Sequence, residues 1–194
     1  MKNLLIFLTL STIFSGCAPE KKETWKTIPY PNKILVQPGT FSFDQGLAIK
    51  FSDYSLKSSV SIFEEKLNQM GIQVDANSRN HITVQLKSLG FENDEAYSLK
   101  IDKNQILLTA NHPKGIFYGL MTLWQSAKFS GTKSVPMGTV EDEPRFEYRG
   151  FMLDESRHFF GKEKVMELIE MMSVFKLNTF HWHLTDAPGW RIEI

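Results

Sequence analysis

The chain has 194 residues, 42% hydrophobic and 12% aromatic, and its 22 basic side chains are balanced by 22 acidic ones. That is the composition of ordinary globular protein, and a zero net charge with no basic cluster beyond a pair removes the electrostatic footprint of a nucleic-acid binder. One cysteine, Cys17, excludes an intramolecular disulfide framework and every multi-cysteine metal site.

The N-terminus reads as an address. Lys2 brings positive charge, Leu4–Phe14 is apolar, and Ser15-Gly16 are small residues ahead of Cys17. These are the three regions of a secretory signal over residues 1–16; about 11 apolar residues fall short of the ~20 that span a bilayer. A cysteine directly after Ser-Gly resembles the lipobox of bacterial lipoproteins, in which the thiol takes a diacylglyceryl group. Phe14 departs from the Leu usual at its position. The resemblance implies lipid attachment at Cys17, a membrane anchor, and an exported place in the bacterial envelope, periplasmic or outer-membrane side. Residues 17–31, rich in Pro, Lys and Glu, read as the tether.

Residues 32–140 read as a small α/β domain. Ile34–Val36 and Leu47–Ile49 are short apolar runs separated by Pro38-Gly39 and Asp44-Gln45-Gly46 turn signals. Leu56, Val60, Phe63, Leu67 and Met70 recur at helical spacing, with Gly71 where a C-cap belongs. His81–Leu86 alternates polar and apolar as a half-buried strand does, and Tyr97–Ile101 and Ile106–Ala110 flank a hairpin turn. Pro113 opens a second helix with Ile116, Leu120, Leu123 and Ala127 on one face. Its glycines, Gly115 and Gly119, are four apart and lack the Lys-Ser/Thr of a phosphate loop, so close helix–sheet contact explains them better. The pattern predicts an α+β domain, a sheet with two helices on one face.

Glu141-Asp142-Glu143-Pro144 punctuates the chain, and 141–194 reads as the start of a second domain. Tyr148–Leu153 predicts a strand, Gly161 onward a helix with Val165, Leu168, Ile169, Met172 and Phe175 on one stripe, and Asn178–Leu184 a second strand. Strand, helix and strand with short links make a βαβ unit with parallel, adjacent strands. The stretch from Glu147 to Ile194 is about 48 residues against roughly 250 for a (β/α)8 barrel. The chain therefore reads as the N-terminal portion of a longer protein, prone to aggregate through uncovered strand surface.

Ligand groups in parallel α/β folds sit at the C-terminal ends of strands. Arg157 and Asp186 follow the two strands. Arg157 offers a planar fork of donors for two sugar hydroxyls or a carboxylate. Asp186 suits accepting from a hydroxyl or orienting a histidine, and an Arg157–Asp186 salt bridge is the structural alternative. His181 and His183 share one face of a regular strand, with Asp186 expected on the other. No further His or Cys stands near enough to complete a metal set, so metal ligation is the weaker reading.

The run from Glu143-Pro144-Arg145 through Asp154-Glu155-Ser156-Arg157-His158-Phe159-Phe160, followed by Lys176–Asp186 and Gly189–Ile194, closely resembles glycoside hydrolase family 20, the β-N-acetylhexosaminidases. Gly115–Trp124 and Val135-Pro136 look like the small domain that precedes its catalytic barrel. The resemblance implies a (β/α)8 TIM barrel that cleaves terminal, non-reducing β-linked N-acetylglucosamine or N-acetylgalactosamine, without metal or cofactor. By position, Arg157 matches the arginine that grips the sugar's ring hydroxyls, and Asp186 an aspartate supporting a histidine–glutamate relay. The family reaction is retaining and substrate-assisted: the acetamido oxygen attacks the anomeric carbon. An Asp-Glu pair on a later strand orients that group and acts as acid and base. The pair is absent from these residues, so the 194-residue chain alone is expected to be inactive. A non-catalytic glycan-binding lipoprotein is the rival expectation. Ala187-Pro188 departs from the Asp-Gln common after the matching aspartate.

Overall fold

A computed structural model describes residues 24–187 and 189–191. The signal, Cys17 and the first part of the tether lie outside the described residues. The first domain is a six-stranded sheet in the order β1-β6-β4-β5-β3-β2, from β1 (Lys33–Ser42), β2 (Ala48–Lys50), β3 (His81–Leu86), β4 (Tyr97–Ile101), β5 (Gln105–Ala110) and β6 (Ser134–Asp142). Helices α1 (Lys57–Gln69) and α2 (Pro113–Ser130) pack against one another, α2 across the sheet. β2, β3 and β5 run parallel, and the other pairings are antiparallel. Among the described residues no helix is long and apolar enough to cross a membrane.

Both helices form where spacing places them. Val60, Phe63 and Leu67 turn inward along α1, and Gly71, at φ +69°, ends it. At the start of α2 the His112 imidazole accepts from the Lys114 amide (3.2 Å), and Pro113 loses no hydrogen bond in the first turn. Ile116, Leu120, Leu123 and Ala127 are buried, as their spacing predicts, against Ile82, Leu99, Ile106 and Leu108 of the sheet in one core.

The α2 glycines set how closely helix and sheet approach. A Cβ on Gly115 falls 2.2 Å from the Ala96 carbonyl oxygen and 2.9 Å from the Ala110 methyl. On Gly119 it meets the Leu108 Cδ1 methyl at 2.4 Å. Gly115→Ala is therefore expected to lower stability by about 1–3 kcal/mol, near the upper end because a backbone carbonyl does not yield. Gly119→Ala costs less, since the Leu108 methyl can rotate away. The urea midpoints of the two variants check this order.

Three expectations need correction. Pro38-Gly39 does not end a strand: β1 runs through it, and Gly39, at φ +104°, lies in a bulge where the register to β6 shifts between Val36 and Thr40. No strand is expected from the spacing over residues 134–142, where Pro136 and Gly138 stand, yet β6 lies there between β1 and β4. Its last residue, Asp142, is buried, so the first domain extends past residue 140. Residues 24–31 are not a loose tether either. Trp25 is buried in the core, and the Ile28 amide and carbonyl both bond the Gln125 amide group.

The second unit is the expected βαβ: β7 (Gly150–Asp154), α3 (Lys162–Val174) and β8 (Thr179–His183), with β7 and β8 parallel and adjacent. Phe151, Met152 and Trp182 on its strands are exposed, as is Ile169 of the expected α3 stripe.

A buried polar clasp fixes this unit on the first domain. Lys176 Nζ donates to Asp142 Oδ2 (2.8 Å) and to the Tyr97 hydroxyl (2.9 Å), which itself donates to Asp142. Burial, and then the charge of Asp142, push the Tyr97 phenol well above its ordinary range, so it stays neutral and donates. Burial pulls the Lys176 ammonium down while Asp142 holds it up. Beside them Arg149 pairs with Glu95, and its Nε donates to the Lys176 carbonyl (2.7 Å).

Candidate active site at the ends of two parallel strands

The register aligns Met152 with His181, Leu153 with Trp182 and Asp154 with His183. Alternation along each strand puts Met152, Asp154, His181 and His183 on one face of the pair, and Phe151, Leu153, Phe180 and Trp182 on the other. Polar residues thus gather where the strands end.

After β7 the chain turns on two neighbouring carboxylates. Asp154 Oδ1 accepts from the Ser156 hydroxyl (2.8 Å) and the Arg157 amide (3.0 Å). Arg157 projects outward with its side chain 69% exposed and its Nε 3.9 Å from Asp154 Oδ2. The Ser156 hydroxyl foremost holds the Asp154 carboxyl below its ordinary 3.8 against the opposing effect of desolvation, with smaller help from the Arg157 amide and the charge of nearby His183.

A carboxyl lowered in the native state stabilises it above the unfolded value, and that contribution is lost as pH falls through the native one. Asp154→Asn is therefore expected to flatten the loss of stability below pH 3.8. Asp53, held low by Ser55, titrates in the same window, so part of the acid limb persists. Urea midpoints between pH 2 and 5 (about 2 to 5, spanning the usual carboxylate range) measure this, and an unchanged limb contradicts it.

After β8 the chain reverses through a bridge between Asp186 and Gly189, whose amides and carbonyls bond reciprocally at 3.0 Å. Asp186 Oδ1 accepts from the Ala187 amide (2.7 Å), and Oδ2 lies 3.7 Å from His183 Nε2. The reversal brings Asp186 back toward the histidine face, where regular alternation alone would have put it on the other. The alternative Arg157–Asp186 bridge is not formed: Arg157 stays beside Asp154 and Asp186 beside His183. Among the described residues no three His, Cys, Asp or Glu side chains converge as metal ligands.

One group escaped the sequence reading. Glu155 is 1% exposed. Its Oε1 accepts from the Phe160 and Gly161 amides, each at 3.1 Å, and its Oε2 from the Trp182 indole (2.8 Å). The available signal was alternation, which turns the residue after Asp154 to the opposite face.

Among the described residues, a sheet-and-helix domain is clasped to a βαβ unit with an arginine and carboxylates at its strand ends, the start of a parallel β/α architecture. Residues 24–143 match the family model "Glycosyl hydrolase family 20, domain 2", and residues 146–194 match "Glycosyl hydrolase family 20, catalytic domain". The chain belongs to glycosyl hydrolase family 20, and its βαβ unit is the start of that family's catalytic TIM barrel. It is 33% identical over 190 residues to a beta-hexosaminidase of Porphyromonas gingivalis, covering 91% of this chain and 24% of the relative. It is 34% identical to a beta-hexosaminidase of Vibrio furnissii, covering 88% and 28%. Among solved structures, a Streptomyces plicatus beta-hexosaminidase in complex with GlcNAc superposes with a TM-score of 0.76 at 27% identity, over 88% of this chain and 37% of that one. A Flavobacterium johnsoniae chitobiase gives 0.72 at 31%, over 90% and 29%. The chain thus spans about a quarter of the length of the curated relatives it matches.

Proposed function

We propose that this chain is the N-terminal part of an exo-β-N-acetylhexosaminidase that removes terminal, non-reducing β-linked N-acetylglucosamine or N-acetylgalactosamine by a retaining, substrate-assisted reaction. The observation that carries the reading is the match of 146–194 to the family's catalytic domain, together with Arg157 and Asp186 at the C-terminal ends of β7 and β8. In this reading Arg157 donates to two ring hydroxyls of the sugar. Asp186, beside His183, is a supporting carboxylate that keeps an imidazole oriented. The acetamido oxygen of the substrate attacks its own anomeric carbon, where an already positioned nucleophile reacts with high effective molarity. The Asp-Glu pair that orients the acetamido group and moves the proton belongs to a strand after β8.

The test is hydrolysis of a chromogenic N-acetyl-β-glucosaminide by the full-length protein, with the first-formed anomer read by NMR. Retention of the β configuration, with no cleavage of the β-glucoside lacking the acetamido group, is expected. Sugar binding without turnover replaces the enzyme with the glycan-binding reading. We also propose export and lipid attachment at Cys17, supported by the Lys2, Leu4–Phe14 and Ser15-Gly16-Cys17 pattern. Cells fed a labelled fatty acid should label the wild type and not Cys17→Ala; equal labelling overturns the assignment.

A further inference from the structure

Among the described residues Glu155 is the most deeply buried acidic side chain, and its carboxylate is held by three N–H groups from two separate pieces of chain. The Phe160 and Gly161 amides come from the entry to α3. Gly161 is the N-cap of that helix, at φ +84°, and offers no capping side chain. The Glu155 carboxylate therefore occupies the positive end of α3 and supplies the negative charge a capping residue would. The third donor, the Trp182 indole, comes from β8. The backbone adds two more ties: the Glu155 amide donates to the His183 carbonyl (2.9 Å), and its carbonyl accepts from Arg191 Nε (3.1 Å).

The turn between β7 and α3 thus has two pins. Asp154 holds its near end through Ser156 and the Arg157 amide. Glu155 holds its far end at Phe160 and Gly161. Arg157 is suspended between them, its long side chain mostly in solvent. Its one ion pair among the described residues is the loose contact to Asp154 at 3.9 Å, so its direction follows chiefly from the path of the turn. We propose that Glu155 is a positioning residue for Arg157: by tying the turn to both α3 and Trp182, it fixes where the guanidinium points. This rests on the proposed role of Arg157 in sugar binding and assigns Glu155 no contact with the sugar.

The experiment compares kcat/KM for a chromogenic N-acetyl-β-glucosaminide among full-length wild type, Glu155→Ala, Glu155→Gln, Arg157→Ala and the double variant Glu155→Ala/Arg157→Ala. Supporting groups of this kind are worth about 10–100-fold, and Glu155→Ala is expected to lose that much. Glu155→Gln should fall between, because its carbonyl oxygen accepts from one set of donors while its NH2 opposes the other. A residue acting through Arg157 has little left to lose once Arg157 is gone, so the double variant should stay within about threefold of Arg157→Ala. Full additivity would overturn the proposal, since a merely structural role lowers both backgrounds equally. Should Glu155→Ala not fold, the same comparison is made with Glu155→Gln in the two backgrounds. An inactive wild type would refute the proposed function instead. Glu155 is then judged by amide exchange: the Arg157, Phe160 and Gly161 amides and the Trp182 indole should exchange at least about tenfold faster in Glu155→Gln. Unchanged exchange at all four overturns it.

Discussion

Lys176→Ala is expected to cost about 3–5 kcal/mol, the usual penalty for stripping one partner from a buried ion pair. The side chains of Lys176 and Asp142 are 6% and 11% exposed, so water cannot replace the lost ammonium. Asp142 would keep a donor in Tyr97 but would carry an uncompensated charge under the second domain. The urea midpoint measures the loss, and a shift within that of an exposed substitution would contradict it. Asp142→Ala should cost a similar amount, because it leaves the ammonium with only the Tyr97 hydroxyl. Removing both charges with apolar side chains should cost much less than the sum, since the desolvation penalty disappears along with the attraction.

The backbone sharpens this prediction. Lys176 has φ +60°, the left-handed conformation in which glycine is usual after a helix. The Leu177 amide reaches back to the Met172 carbonyl (2.9 Å) and the Lys176 amide to that of Ser173 (3.4 Å), closing α3 in a Schellman-type turn. A lysine there bears about 1–2 kcal/mol of backbone strain, offset by an ammonium that ends between Asp142 and Tyr97. Lys176→Gly relieves the strain while losing the ion pair, so it should be less damaging than Lys176→Ala. A glycine variant as unstable as the alanine one would show that the turn is unstrained.

That residue also shows where the sequence stops being legible. The spacing of Val60, Phe63 and Leu67, the proline and histidine ahead of Ile116, and the alternation in His81–Leu86 are local signals, and each element formed where they place it. The βαβ order likewise forces β7 and β8 to be parallel neighbours. Asp142, by contrast, reads as one acid of a polar linker, and Lys176 as one base after a helix. Their pairing across 34 residues follows from how the two domains dock, which no local periodicity encodes. β6 was hidden for a related reason: Pro136 and Gly138 lower local strand propensity, while pairing on both sides supplies the order. At the candidate site, strand ends were legible from the βαβ pattern, so Arg157 and Asp186 lie where expected. The reversal that returns Asp186 toward His183, and the alternation that buries Glu155, required the three-dimensional path of the chain.

Arg157→Ala is expected to lower kcat/KM of the proposed full-length hexosaminidase by about 10²–10³-fold or more. The exposed Asp154 contact at 3.9 Å is a loose pair, worth about 0–1 kcal/mol, so engaging a ligand costs the guanidinium little. Two charge-assisted hydrogen bonds to neutral hydroxyls contribute about 1.5–3 kcal/mol each, and each 1.4 kcal/mol is tenfold. Lysine is a poor substitute, because a single ammonium cannot span two hydroxyls with the fixed fork of a guanidinium. The partition between constants reports when the contacts act. A raised KM with unchanged kcat means they hold substrate and transition state alike, whereas a fall in kcat means they tighten as the sugar ring distorts. Stability should move by no more than about 0.5 kcal/mol, as for other exposed side chains away from the core. An Arg157→Ala protein that unfolds early has therefore lost something other than a sugar contact, and one that retains wild-type kcat/KM excludes Arg157 from the binding subsite.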